Sequence, residues 1–234
     1  MSAIFRRELS AYFLSPIGYV FLAVFYLVSG FFFFMGTLSS QTTSLTPVFS
    51  ILFTMFMFLI PILTMRLMSD ELRQKTDQGL LTAPLSLTGL VVGKFLAAFM
   101  LLCLGVGILL IYGLVLSIYG SPDWAVLIGN LVGILLLGAA FIAIGLFISS
   151  LTENQVIAAV GSVAATLALF FIDSIASAIP VAFISKIISS LSFYTRYNEF
   201  TTGLLNISSI VFFLSVAAAF LFLTVRVFEK KRWA

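Results

Sequence analysis

Six apolar runs, each about as long as a helix that crosses a bilayer, constrain this chain more than any other feature. They fall at residues 17–38, 48–68, 91–118, 125–150, 156–179 and 207–225, and a transmembrane helix needs roughly 20 residues. No water-soluble fold of 234 residues could hide them all. Hydrophobic residues make up 62% of the chain and charged residues 9%, whereas a soluble domain carries about 45–50% and about 25%. In lipid, backbone polar groups must be satisfied without water, which a helix does within its own segment. The expected fold is therefore all-α: one polytopic domain over 1–234, in the cell membrane, with six transmembrane helices. The fifth run is the least regular, because Asp173 interrupts it and Pro180 follows. The first exceeds a signal-peptide core and lacks a small-residue cleavage site, so it reads as a retained span.

Orientation follows from the basic residues. With the N-terminus inside, ten of the 12 Lys and Arg residues lie on the cytoplasmic side, and only Lys186 and Arg196 lie outside. Both termini are then cytoplasmic, and so is the connection between the second and third spans. The net charge of +3 sits at membrane edges rather than along one face, so nucleic acid is not an expected partner.

What is missing narrows the function. There is no His and a single Cys, Cys103, inside an apolar run. That excludes an internal disulfide framework and a Cys/His metal site, and Cys103 reads as a small core-facing hydrophobe. The span centres lack the ionisable groups that ion-coupled transport places at bilayer depth. Lys94 and Asp173 stand near span ends, where they can snorkel. "GLVVGKF" at 89–95 imitates a P-loop, but three residues rather than four separate Gly89 from Gly93, and Phe95 follows Lys94. The chain is therefore not expected to be an enzyme. It should bind no cofactor, and its driving energy should come from elsewhere.

The charge that is present is concentrated. "MRLMSDELRQKTDQGLLTAP", residues 65–84, holds Arg66, Asp70, Glu71, Arg73, Lys75 and Asp77, in a chain with 12 basic and 9 acidic residues. Residues 69–79 fit a short helix with Glu71 and Lys75 at i,i+4, Asp70 and Arg73 at i,i+3, and Gly79 at its end. A solvated loop would also carry charge, but interleaved signs beside "GLLTAPL" suit a docking surface better. Before the first span, residues 2–14 form an amphipathic pattern. Phe5, Leu9, Tyr12 and Phe13 fall on one side, and Arg6, Arg7 and Ser10 on the other. Such a helix lies in the membrane interface, among lipids. Glu8, on its apolar flank, either pairs with a basic neighbour or stays exposed. Pro61 should kink the second span. The fourth span carries Gly129-x-x-x-Gly133, which fits packing within the chain or dimerisation equally. Between the fifth and sixth spans, Ile184, Ile187, Ile188 and Leu191 follow helical spacing and "FYTRYNEF" supplies interfacial aromatics. One or two short outer helices are expected there.

Four stretches carry a family resemblance: "FRRELSAYFLSPIGYVF", "TMRLMSDELRQKTDQGLLTAPLS", "GKFLAAF" and "NEFTTGLL". Together they resemble the type-2 exporter permeases of the ATP-binding-cassette (ABC) transporters, in the branch of gliding-motility and nitrous-oxide-reductase-maturation permeases. Asp77 and Gly79 depart slightly from that family's register. The resemblance implies an elbow helix at 1–16 (with Phe5, Arg6, Arg7, Glu8 and Leu9). It implies a coupling segment at 69–90 that seats on a cytoplasmic ABC ATPase through Asp70, Glu71, Arg73, Lys75 and Asp77. Outer helices at 180–206, with Tyr197, Glu199, Phe200 and Gly203, would roof the path. ATP and Mg would reside on that ATPase, and a second permease, identical or related, would complete a dimer that exports a substrate. An accessory extracytoplasmic protein is a further implied partner. The competing reading is a membrane scaffold that transmits ATPase work outward without moving a solute.

Overall fold

The computed structural model describes residues 2–75, 86–172, 175, 191–203 and 206–233. All secondary structure among them is helical. Helix α1 spans Ser2–Leu14. Helix α2 spans Pro16–Phe33 and runs on into a π-helical turn at Phe34–Leu38. Helix α3 covers Thr46–Thr64, α4 Arg66–Arg73, α5 Leu87–Val106 and α6 Ile108–Tyr119. Helix α7 covers Trp124–Leu151, α8 Gln155–Phe170, α9 Phe193–Thr201 and α10 Ile207–Trp233.

Among the described residues, five stretches are long and apolar enough to cross a membrane: Pro16–Leu38, Thr46–Gln74, Leu87–Tyr119, Trp124–Leu151 and Ile207–Lys231. The second joins α3 to α4 across Met65, and the third joins α5 to α6 across Gly107. The expected fifth span is represented by α8, which is apolar but only 16 residues long. Asp173 and residues 176–190, including Pro180, Ile184, Lys186, Ile187 and Ile188, lie outside the described residues, as do Asp77, Gly79 and the rest of 76–85.

Polar side chains mark where the helices begin. Pro16 occupies the first turn of α2, where its missing N–H costs nothing. The side chains of Ser86, Asp123, Asn154 and Ser192 accept hydrogen bonds from the first-turn amides of α5, α7, α8 and α9. Each supplies an acceptor to amides that otherwise have no helical partner.

Helix α7 is the centre of the bundle. It packs against α3, α4, α5, α8, α9 and α10, and its small residues set the approach. A methyl group at Gly133 would stand 2.8 Å from Cβ of Phe200, and one at Gly129 3.0 Å from the Phe200 carbonyl oxygen. Further along the helix, Gly138 admits Leu102 and Phe56, and Gly145 admits Thr64. The Gly129-x-x-x-Gly133 pair is therefore used inside the chain, as the seat of α9. Cys103, expected to face the core, is only half-buried.

Pro61 sits within α3, which runs on to Thr64. Its ring nitrogen cannot donate to the carbonyl of Met57 four residues earlier, and in lipid that carbonyl has no water to turn to. Thr166 of α8 meets the need: its hydroxyl lies 3.1 Å from the Met57 oxygen. The same hydroxyl is 3.1 Å from Ser162 O and 3.0 Å from Val163 O. Met57 O is the acceptor that Pro61 deprives of its helical partner, so it gains most from the donor. Thr166→Val should therefore cost about 1 kcal/mol, within the range of bonds between membrane helices. In a Pro61→Ala background, where the substituted residue supplies the missing N–H, the same change should cost almost nothing. A double-mutant cycle on unfolding in detergent measures the difference.

Candidate functional site

The two ends of the bundle differ in chemistry. At one end α1, α4, the start of α5, the end of α7 and the start of α8 converge, and there the ion pairs are dense.

Helix α4 starts at a break. Helix α3 ends at Thr64, and Met65 turns the chain into a new helix whose first amides have no partner of their own. Ser149, fully buried near the end of α7, closes that gap. Its hydroxyl oxygen accepts from the amides of Met68 (3.1 Å) and Ser69 (3.0 Å) and donates to the Met65 carbonyl (3.1 Å). Leu67, Met68 and Leu72 turn into the core, leaving Arg66, Arg73 and Gln74 outward.

The central feature is the ammonium of Lys94, on α5, whose side chain is 2% exposed. It donates to the carbonyl of Leu67 at 2.7 Å and lies 3.0 Å from Oε1 of Glu71 and 3.3 Å from Oε1 of Glu8. An ammonium has three donors, and three acceptors surround this one. Arg7, on α1, completes the group, with Nη2 2.6 Å from Glu8 and 2.9 Å from Glu71. Two cations thus face two carboxylates, and the set is neutral. The bound Glu8 carboxylate holds the Arg7 proton more firmly than water would, against the opposing effect of partial burial. This quartet ties α1, α4 and α5 together.

Lys94 does not snorkel as the sequence suggested. Its carboxylate partners come to it, delivered by α1 and α4, so it needs no route to water. Glu8 takes the paired alternative. Helix α1 docks on α5 because Gly93 leaves room: a methyl group there would stand 3.0 Å from Cγ2 of Ile4. Phe5 and Leu9 pack against the core and Arg6 faces out. Tyr12 is buried, with its hydroxyl 3.4 Å from Leu63 O; burial pushes its phenol far above the ordinary range and keeps it a neutral donor.

The expected helix over 69–79 is displaced. It begins at Arg66 and ends at Arg73, and Lys75 follows in a left-handed conformation (φ +53). Neither expected pair within it forms. Asp70 accepts from Nε of Arg66 at 2.7 Å and from the Gln155 amide of α8, rather than from Arg73. Glu71 turns to Lys94 and Arg7, while Lys75 stands exposed beyond the helix end. Arg73 is exposed above a recess of about 360 Å³ that it shares with Glu153, Asn154, Gln155 and Val156. Sequence reasoning passed over Lys94, Ser149 and Gln155 as site residues. Only for Lys94 was there a signal: a cation near the start of a span, with carboxylates in both segments that flank the same membrane edge.

The outer set occupies the opposite end and serves packing. Tyr197 is buried and donates to Phe49 O at 3.3 Å, and Phe200 fills the hollow over Gly133. Glu199 accepts from the Ser209 hydroxyl, and Gly203 turns the chain at φ +78.

A bundle of long apolar helices with its charge gathered at one rim defines a multi-pass membrane component. The model of the ABC-2 family transporter protein matches residues 3–233, and the chain belongs to that family. Such a subunit is a membrane transport component that is not itself catalytic, and the family works in general with an ATP-binding subunit. No curated protein and no solved structure matches the chain.

Removing one member of the quartet leaves the others unbalanced. Lys94→Met should destabilise the protein by about 3–5 kcal/mol, the usual cost of orphaning a buried charge. Adding Glu71→Gln, which restores neutrality with Arg7 and Glu8, should recover a large part of that loss. Thermal unfolding in detergent compares the two variants with the parent.

Proposed function

We propose that this chain is the six-span permease half of an ABC exporter, with both termini cytoplasmic, working as a dimer with itself or a related permease. The charged end is then the cytoplasmic face, and α4 belongs to the segment that takes force from a separate ATPase holding ATP and Mg. One observation carries this reading. The outer face of α4 is turned away from the bundle, while its inner face is bonded to α1 and α5 through Glu71. A push on α4 therefore reaches two further helices without passing through a flexible link. The gliding-motility and nitrous-oxide-reductase-maturation branch remains the family branch that the four quoted motifs favour.

Within that reading the five coupling residues divide. Arg73 and Lys75 face outward and suit direct contact with the ATPase. Glu71 transmits, and Asp70 steadies α4 against Arg66 and α8. Asp77 lies outside the described residues and keeps its supporting role by position. Charge reversal at Glu71 would strike the internal quartet, so the docking test belongs at Arg73 and Lys75.

Replacing both with Glu should weaken co-purification of the ATPase by at least about tenfold, since hydrogen bonds to charged groups contribute about 1.5–3 kcal/mol each. The melting temperature of the permease alone should scarcely change. Unaltered co-purification and ATP turnover would overturn the docking role. Flux of a candidate cargo into vesicles containing both subunits separates the exporter from a scaffold, which would show turnover without flux.

A further inference from the structure

Between α1 and α4 lies an open cleft of about 760 Å³. Its rim and its wall differ in chemistry. The rim carries Arg7 and Arg66, whose side chains are 54% and 43% exposed, whereas the carboxylates they hold are recessed: Glu8 at 14%, Glu71 at 13% and Asp70 at 18%. The accessible wall is apolar, formed by Leu14 and Ile17, with Leu14 89% exposed and Ile17 half-buried. Ile17 opens the span that begins at Pro16, so the wall continues into that span.

The rim is not used up by the ion pairs. Arg66 meets Asp70 through Nε, which leaves both its terminal amino groups without a hydrogen-bond partner among the described residues. Arg7 uses Nε and Nη2, leaving Nη1. Each recessed carboxylate is already paired with a cation: Glu8 and Glu71 with Arg7 and Lys94, and Asp70 with Arg66, while Gln155 donates a further hydrogen bond to Asp70. What the cleft offers outward is therefore a set of guanidinium N–H donors above an exposed aliphatic surface. Guanidinium groups match phosphate oxygens in geometry and charge, and uncovered leucine at a span's edge matches acyl chain.

We propose that this cleft binds a membrane phospholipid, its phosphate held by Arg66 and Arg7 and its acyl chains lying along Leu14 and Ile17. A free phosphate ion would use the rim but leave the wall bare, and a neutral lipid would use the wall but leave the donors unmet. The phospholipid satisfies both. It also stands independently of the ATPase reading, since it requires only that the charged end lie at headgroup depth.

The test is native mass spectrometry of the full chain in detergent, with phosphatidylglycerol, diacylglycerol of the same chains, or inorganic phosphate added. Phosphatidylglycerol should bind, and diacylglycerol at least about tenfold more weakly, as expected for losing one or two charge-assisted hydrogen bonds. Arg66→Gln should lower phosphatidylglycerol occupancy by a similar factor. Equal binding of diacylglycerol, undiminished binding by Arg66→Gln, or displacement by excess inorganic phosphate would overturn the proposal. Should Arg66→Gln fail to fold, the unaltered protein decides: a phospholipid with a photoreactive acyl chain should label residues 11–17. Labelling confined to other segments would sink the site.

Discussion

A charge in lipid must bring its own solvent. At the charged end that rule is met around Lys94, whose ammonium is enclosed by two carboxylates and a backbone carbonyl. Everything nearby answers to it. Helix α1 must lie across α5 to deliver Glu8, which is why Gly93 leaves space for Ile4. Helix α4 must break from α3 to deliver Glu71, which is why Ser149 caps the break from α7. Arg7 then balances the second carboxylate. Four side chains from three helices form one neutral object, and moving any of those helices alone would leave a buried charge without its partner.

The far end is held by different forces. There, bulk and close approach dominate: Phe200 over Gly133, Tyr197 bonded to the Phe49 carbonyl, and aromatic edges among Phe193, Phe212 and Phe213. The bundle thus has one rim fastened by electrostatics and one fastened by shape. At the first rim a few directional contacts carry the joint, and at the second many individually weak ones do.

Much of the fold was legible because apolar runs of bilayer length admit few architectures. The amphipathic N-terminal helix, the α9 segment and the five longest spans all stand close to where residue patterns put them. The helix expected over 69–79 did not, standing instead at Arg66–Arg73, and the difference is instructive. Spacing within 69–79 favoured local pairs such as Glu71–Lys75, but a surface pair of that kind contributes only a few tenths of a kcal/mol. A buried ammonium with no partner costs several, so Glu71 turned inward to Lys94. Local periodicity cannot register a partner brought from residue 94, nor a serine at residue 149 that serves a helix beginning at residue 66.

The hydroxyl of Thr166 on the Met57 carbonyl has a mechanical corollary. A single directional bond at one depth opposes sliding of α8 along α3, because Met57 O would lose the donor that replaces its helical partner. Rotation about that point costs far less, since the bond length can be kept while the axes tilt. The pair thus marks one fixed point of register between α8 and α3, and tilting about it disturbs the bond less than sliding does.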